Sequence, residues 1–260
     1  MANVIAISNQ KGGVGKTTTC FSLAACLVEL QHKVLVIDLD PQSNLTLAAG
    51  LDYDEIDKTL VDLIDDGASG KLDIHTFIHP TAMEGLDILP ADPRLARVER
   101  NLYELIDYET RLDKTIAPLK ANYDYIILDC PPTLSSLSLI AFYAADEVLI
   151  PVQCEYYAAK GLDLLLTIIN TMEKRRNRTI PWYLVVTLYD PRNKIHRTVY
   201  EQLFTNFSAH LMQTFIRMDT KLRECPIVGE PINIYAPATR ATEQYRLLAQ
   251  EFDQRVIKEN

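Results

Sequence analysis

Residues 10–18 combine three glycines with two lysines and two threonines, the residue types of a loop that can bind a polyphosphate. The segment follows the apolar run 4–7 and precedes a helical pattern over 21–30. Glycines let the backbone N–H groups of such a loop turn toward an anion, and the positive end of the helix dipole adds to the same point. Lys16 can reach the β- and γ-phosphates, and the Thr17 hydroxyl is the group that such loops use to hold Mg²⁺. The predicted phosphate-binding residues of the loop are Gly12, Gly13, Val14, Gly15, Lys16, Thr17 and Thr18.

A dinucleotide fold is the sharper alternative for the same residues. Gly13 and Gly15 begin a G-x-G-x-x-G pattern, and Asp38 is available as the acid that binds a ribose. Thr18, however, stands where the third glycine of that pattern is required. The phosphate loop is therefore favoured, although the usual G-x-x-x-x-G-K-[ST] pattern has glycine where this chain has Gln10.

Carboxylates follow two apolar runs that have the pattern of buried parallel strands. The run 33–37 leads to Asp38 and Asp40, and the run 125–128 leads to Asp129. Ligands collect at the carboxyl ends of such strands, so these acids are expected beside the phosphate loop. Asp129 then has the Walker B position near the water shell of the metal. Asp38 either takes part in the site or caps the turn that follows it.

Strand and helix patterns alternate along the whole chain, which predicts an α/β fold: a single doubly wound, mostly parallel sheet flanked by helices, of the P-loop NTPase type. Residues 1–260 are expected to form one domain. Further strands are predicted over 74–78, 86–90, 148–152 and 182–188, and a strand end over 215–219. Further helices are predicted over 57–66, 93–107, 110–121, 137–145, 158–174, 195–209 and 238–257, with a turn at 67–70.

The motif Lys-Gly-Gly-x-Gly-Lys-Thr over 11–17 resembles the deviant Walker A motif of the ParA/MinD family of ATPases. The segments Asp-Leu-Asp-Pro-Gln at 38–42 and Gln-Cys-Glu-Tyr-Tyr-Ala at 153–158 extend the resemblance over nearly the whole chain. The resemblance implies ATP and Mg²⁺ as cofactors, and a homodimer that encloses two nucleotides. It further implies that Lys11 reaches the partner's nucleotide and that Asp40 positions the attacking water. The expected catalytic residues are Lys11, Lys16 and Asp40, and the expected metal-site residues are Thr17 and, through water, Asp40 and Asp129.

The resemblance also places the adenine near Arg217, Met218 and Asp219. In the family a proline usually stands at the position of Arg217, and asparagine or serine at that of Asp219.

The net charge of −9 is unevenly distributed along the chain. Residues 1–150 carry 11 Lys and Arg against 23 Asp and Glu, whereas residues 151–260 carry 15 against 12. The second half can therefore present a basic face. Together with the resemblance this predicts non-specific binding of double-stranded DNA, with Lys174, Arg175, Arg176, Arg197, Lys221 and Arg223 as the candidate contacts.

The resemblance further implies an adaptor protein that stimulates hydrolysis, and a cargo (plasmid, chromosome or protein compartment) that is positioned or segregated. A cytoplasmic protein, nucleoid-associated when ATP-bound, is expected. No membrane partner is expected, because the final helix lacks a lysine-rich outer face, but a membrane-cycling ATPase of the MinD type remains the alternative. A nitrogenase-reductase-like electron carrier is disfavoured because neither Cys130 nor another cysteine has the required pattern. A metal site at His75 and His79 is disfavoured because no carboxylate is spaced with them.

Overall fold

The structure, a computed structural model, describes residues 1–66, 72–155 and 158–259. The predicted turn at 67–70 and the pair Tyr156 and Tyr157 lie outside the described residues.

A seven-stranded sheet is the centre of the described fold. Six strands are parallel, and the short edge strand β3 runs antiparallel to β4. The order across the sheet is β3-β4-β2-β5-β1-β6-β7, which confirms the predicted doubly wound architecture. The strands are β1 (Asn3–Ile7), β2 (Val34–Asp38), β3 (His79–Pro80), β4 (Leu86–Leu89), β5 (Tyr125–Asp129), β6 (Glu147–Gln153) and β7 (Trp182–Thr187).

Helices cover both faces of this sheet. They are α1 (Lys16–Glu29), α2 (Asn44–Ala48), α3 (Leu60–Asp66), α4 (Leu95–Leu102), α5 (Arg111–Ile116), α6 (Ser136–Ala144), α7 (Ala158–Arg176), α8 (Lys194–Phe207), α9 (Lys221–Val228), α10 (Ile232–Tyr235) and α11 (Arg240–Glu259). Alternate residues of β1 face opposite layers: Val4 and Ala6 join one apolar core, and Ile5 and Ile7 join the other. A strand that is buried on both faces has a continuous run of apolar residues, and residues 4–7 of β1 form such a run.

The last helix docks on the first one. Tyr245, Leu248, Ala249 and Phe252 of α11 are buried, and the Tyr245 hydroxyl lies 3.2 Å from Oγ1 of Thr19 in α1. The C-terminal segment therefore supports the helix that starts at the phosphate loop.

Two strand predictions were wrong. Residues 74–78 alternate like an edge strand, but Ile74–Phe77 forms a 3₁₀ helix, because the Asp73 carboxylate accepts a hydrogen bond from the N–H of His75 and caps the turn. The segment 215–219 forms no strand either. It contributes a single bridge between Arg217 and Tyr189.

The helices predicted over 93–107 and 110–121 are shorter than expected. The first is reduced to α4, and the second divides into α5 and a 3₁₀ turn, Ala117–Ala121. Pro118 lies in the first turn of that 3₁₀ segment, and proline lacks the N–H that would continue α5.

Strand register brings the predicted site residues to one edge. Asp129 at the end of β5 pairs with Ile7 of β1 on one side and with Asp38 of β2 on the other. The loop that follows Ile7 is the glycine loop, so the glycine loop and both strand-end acids meet at the carboxyl edge of the sheet.

Candidate nucleotide-binding site

The phosphate loop takes a backbone conformation that needs glycine at two positions. Gly13 and Gly15 have φ values of 76° and 84°, in the left-handed region, and Gly15 directly precedes α1 as its N-cap residue. The loop is also fixed from outside, because Oγ1 of Thr187 at the end of β7 donates to the Val14 carbonyl at 2.7 Å. On its other side Nδ2 of Asn9 donates to the Pro151 carbonyl at 2.7 Å. The sequence pattern identified neither anchor.

Lys16 is the buried cation of this edge. Its side chain is largely enclosed, and its Nζ donates to the Lys11 carbonyl at 3.3 Å. Burial lowers the pKa of Lys16, while the nearby Asp129 and Asp40 carboxylates act in the opposite direction. An ammonium group surrounded in this way is poised to exchange a backbone carbonyl for phosphate oxygens.

Asp129 is a buried carboxylate without a hydrogen-bond partner of ordinary geometry among the described residues. Burial, followed by the charge of Asp38, raises its pKa well above the usual range, although Thr17 and Lys16 act to lower it. Oxygen ligands of this kind suit Mg²⁺, which keeps several waters and binds one or two carboxylates together with substrate phosphates. Asp129 and Thr17 therefore fit the metal that the loop implies.

Among the described residues, no group of three His, Cys, Asp or Glu is arranged to hold a metal by itself. The phosphates of the nucleotide would have to complete the coordination, as is usual for Mg²⁺ in nucleotide sites.

Asp38 caps the turn that follows β2. Its carboxylate accepts hydrogen bonds from the N–H of Asp40 at 3.0 Å and from the N–H and hydroxyl of Thr46 at 2.9 and 2.8 Å. Burial raises its pKa to about 6 in spite of these bonds. Of the two roles that the sequence left open for Asp38, the structure supports the cap.

Asp40 follows Asp38 by two residues, at the start of the segment that leads into α2. It is buried, and its Oδ1 accepts a hydrogen bond from the N–H of Gln42 at 2.9 Å. Because Asp38 holds the Asp40 N–H, the backbone that carries this second carboxylate is fixed against the sheet.

Lys11 turns away from the phosphate loop. Its Nζ lies 2.5 Å from Oε2 of Glu155 and 3.3 Å from Oε1 of Gln153, at the end of β6. Both ion-pair partners are about half exposed, and such surface pairs contribute about 0–1 kcal/mol. This pair is therefore weak enough for Lys11 to leave it for a phosphate. The sequence did not predict that Lys11 pairs with Glu155, because 144 residues separate the two.

The residues predicted to contact adenine have other partners in this structure. The N–H of Arg217 donates to Gln244, the Met218 carbonyl accepts from Arg240, and Oδ1 of Asp219 caps α9 through the N–H of Lys221. Asp219 thus has a structural task that its sequence context did not indicate.

The six basic residues predicted to bind DNA lie in two separate regions. Lys174, Arg175 and Arg176 end α7, which runs from the carboxyl end of β6 to the edge where β7 begins, opposite the phosphate loop. There Arg175 pairs with Glu109, and the half-buried Arg176 donates to the Ala145 carbonyl.

The other three residues lie toward the nucleotide edge. Arg197 is in the first turns of α8, which follows the carboxyl end of β7, and Lys221 and Arg223 begin α9. Arg223 is exposed, whereas Lys221 pairs with Glu224 at 2.7 Å. The six candidate DNA contacts therefore lie in two regions of the fold, and DNA binding by either region stays a prediction.

Replacing Asp129 with asparagine is expected to stabilise the nucleotide-free protein near neutral pH. The pKa of the Asp129 carboxyl is raised in the folded state, so folding favours its protonated form, and stability falls as pH rises above the unfolded value of about 4. An uncharged side chain removes that loss. We expect about 1–3 kcal/mol greater free energy of unfolding at pH 7.5 than in the parent, on the scale of a buried group without a partner. The gain should shrink toward pH 4.

Urea unfolding of both proteins across pH 4 to 7.5 measures this difference. An advantage of the asparagine variant that is independent of pH, or absent at pH 7.5, would contradict an unfavourable buried charge at position 129.

The fold and this site define a class of protein, the P-loop ATPases. A family model described as an AAA domain matches residues 2–181. The sporulation initiation inhibitor protein Soj of Bacillus subtilis is 40% identical over 96% of this chain and 98% of its own, and the chromosome-partitioning ATPase Soj of Treponema pallidum is 36% identical over 96% and 97%. The chain belongs to this family, the Soj and ParA chromosome-partitioning ATPases.

A solved structure supports the same fold. Cobyrinic acid a,c-diamide synthase from Mycobacterium smegmatis, with bound ATP analog and magnesium, superposes with a TM-score of 0.82 and is 30% identical over 96% of this chain and 93% of that one. The reaction in its name belongs to that protein. In the described part of the present chain, no helix is long and apolar enough to cross a membrane.

Proposed function

We propose that this chain is an ATP-driven partitioning switch whose two states are a monomer and an ATP-bound dimer. ATP binds along the glycine loop, with Lys16 on the β- and γ-phosphates. Thr17 and, through water, Asp129 and Asp40 would hold Mg²⁺, which would neutralise charge on the phosphate oxygens. The observation that best supports this nucleotide and metal site is the position of Lys16, which is buried beside the carboxylates of Asp40 and Asp129.

Hydrolysis in this scheme depends on aligning a water molecule and stabilising charge on the γ-phosphate. Asp40 orients the attacking water through its carboxylate, while the Asp38 carboxylate fixes the Asp40 backbone by accepting from its N–H. Lys16 supplies positive charge from within the subunit, and Lys11 supplies it to the nucleotide of a second subunit. Loss of the γ-phosphate removes the contact that holds Lys11, so the dimer reopens.

The adenine would lie near residues 217–219. The Arg217 N–H donates to Gln244 and the Met218 carbonyl accepts from Arg240, so the Asp219 carboxylate is the group that would accept a hydrogen bond from the base, through the Oδ2 oxygen that is not bonded to the Lys221 N–H. We infer that Met218, half exposed, offers the apolar surface against which the base packs.

We further propose that the ATP-bound dimer binds duplex DNA without sequence preference through the region toward the nucleotide edge, namely Arg197, Lys221 and Arg223. Contacts from such side chains to phosphates position a protein on DNA but do not read its sequence. In this scheme the bound dimer is nucleoid-associated, and a cargo-bound adaptor protein stimulates hydrolysis and releases it.

Replacing Lys221 and Arg223 together with alanine is expected to lower ATP-dependent DNA affinity at least about tenfold at moderate salt. The dependence of log affinity on log salt should become shallower by about 0.9 for each phosphate contact that is lost. Filter retention of a labelled duplex across a salt series measures both quantities.

The matched control is the double substitution Lys174→Ala with Arg175→Ala, at the opposite edge of the sheet. It is expected to keep DNA affinity within about threefold of the parent. If the variant at Lys174 and Arg175 instead loses more DNA affinity than the variant at Lys221 and Arg223, the DNA-binding surface lies at the end of α7. A parent that floats with anionic vesicles in ATP but does not retain DNA would favour the membrane-cycling alternative.

A further inference from the structure

Two glycine backbones touch between the segment after α2 and the end of α9. A Cβ atom added to Gly229 would lie 2.7 Å from the Cα of Gly50 and 3.1 Å from its nitrogen. Real Cβ atoms do not approach other atoms so closely, so only glycine at position 229 permits this contact. Both residues are also left-handed, with φ of 80° at Gly50 and 75° at Gly229.

The Gly50 side of the contact is connected to the nucleotide edge. Backbone N–H groups tie Ser43 to the Asp40 carbonyl at 2.8 Å and Gly50 to the Leu47 carbonyl at 3.0 Å. Thr46, in the middle of α2, is held by the Asp38 carboxylate. A short, hydrogen-bonded path therefore runs from Asp40 through α2 to Gly50.

The Gly229 side belongs to α9. Gly229 ends that helix, and its N–H donates to the Cys225 carbonyl at 3.0 Å. Helices α1, α2 and α9 meet around a small pocket whose lining includes Thr17, Ala48 and Leu222. Because α2 packs directly against α9, a shift of α2 is transmitted to α9.

We propose that the Gly50–Gly229 contact transmits the nucleotide state from the Asp40 segment to α9. A contact between two backbones contains no side chain that can change rotamer and absorb a displacement. Movement of Asp40 and α2 toward a γ-phosphate therefore moves α9 with them, and with it Lys221 and Arg223. This inference rests on the nucleotide site proposed above and does not depend on DNA binding.

The chain offers a matched pair of variants at this contact. In Gly229→Ala the added methyl collides with the Gly50 backbone, and the two segments must separate. In Gly50→Ala the added methyl would lie 3.4 Å from the Gly229 carbonyl oxygen, an ordinary contact. Both substitutions place alanine in the left-handed region, so that cost is shared and only the separation of the segments differs.

Hydrogen exchange of residues 221–228, measured with and without Mg²⁺ and a non-hydrolysable ATP analogue, tests the inference. In the parent and in Gly50→Ala, the analogue should slow exchange in this segment at least fivefold. Gly229→Ala should bind the analogue within threefold of the parent, by fluorescence titration, yet lose most of that slowing. A second variant, Thr46→Val, removes the hydroxyl that binds Asp38, and its α9 response should fall at least threefold.

Two results would overturn the inference alone: a parent that binds the analogue without any change in 221–228, or a full response in Gly229→Ala. If Gly229→Ala does not fold, a full response in Thr46→Val overturns it. A parent that does not bind the analogue contradicts the proposed function, and this inference with it.

Discussion

Replacing Asp40 with alanine should lower the rate of ATP hydrolysis at least about 100-fold, the usual contribution of a group that positions or deprotonates a nucleophile. ATP affinity should stay within about threefold of the parent, because Lys16 and the glycine loop carry most of the phosphate contacts. Slow hydrolysis removes the step that reopens the dimer, so the variant should accumulate as an ATP-bound dimer. Phosphate release and nucleotide titration measure the two effects separately.

The control for Asp40 is Asp54→Ala, which removes an exposed carboxylate from a neighbouring turn. It should hydrolyse ATP at the parental rate. If Asp40→Ala turns over ATP as fast as this control, Asp40 is not part of the mechanism. If Asp40→Ala loses ATP binding as well, its role is in holding Mg²⁺ and the nucleotide, not in aligning water.

Replacing Lys11 with alanine should abolish ATP-dependent self-association while leaving ATP binding in place. In the structure the Lys11 ammonium group contacts Glu155 and Gln153 in an exposed ion pair that it can leave for the nucleotide of a second subunit. Loss of a charge-assisted contact to each of the two nucleotides should weaken the dimer at least about 100-fold, at about 1.5–3 kcal/mol per contact. Sedimentation velocity over a concentration series with Mg²⁺ and ATP measures the change.

The companion variant Glu155→Gln distinguishes two explanations of that loss. It breaks the same intrachain ion pair but keeps the lysine. If Lys11 acts on the partner's nucleotide, Glu155→Gln should dimerise as well as the parent or better, because Lys11 no longer has to leave a carboxylate. A Glu155→Gln variant as defective as Lys11→Ala would show that the intrachain pair itself supports the dimer.

Sequence inspection was most successful where a motif is local. The glycine loop, the acids at the ends of β2 and β5, and the alternation of strands and helices are each encoded within a few neighbouring residues. The register of a parallel sheet then brings Asp38 and Asp129 side by side. For this reason the fold and the phosphate-binding edge could be predicted without coordinates.

The remaining features depend on contacts between distant segments. Lys11 and Glu155, and Gly50 and Gly229, are far apart in the chain, and no local pattern marks them as neighbours. Lys174–Arg176 lie at the edge opposite the phosphate loop because α7 runs the length of the sheet. The positions of basic residues in the sequence do not show this. The strand predicted over 74–78 was wrong because one capping carboxylate, that of Asp73, outweighed the alternating pattern.

The most direct test of the proposed switch is the molecular mass of the Asp40→Ala protein in solution. Light scattering coupled to gel filtration, with Mg²⁺ and ATP present throughout, should give twice the mass of the chain, and the mass of a single chain when ATP is omitted or replaced by ADP. The double variant Asp40→Ala with Lys11→Ala should remain monomeric in ATP. A mass that does not depend on nucleotide in Asp40→Ala would contradict the account.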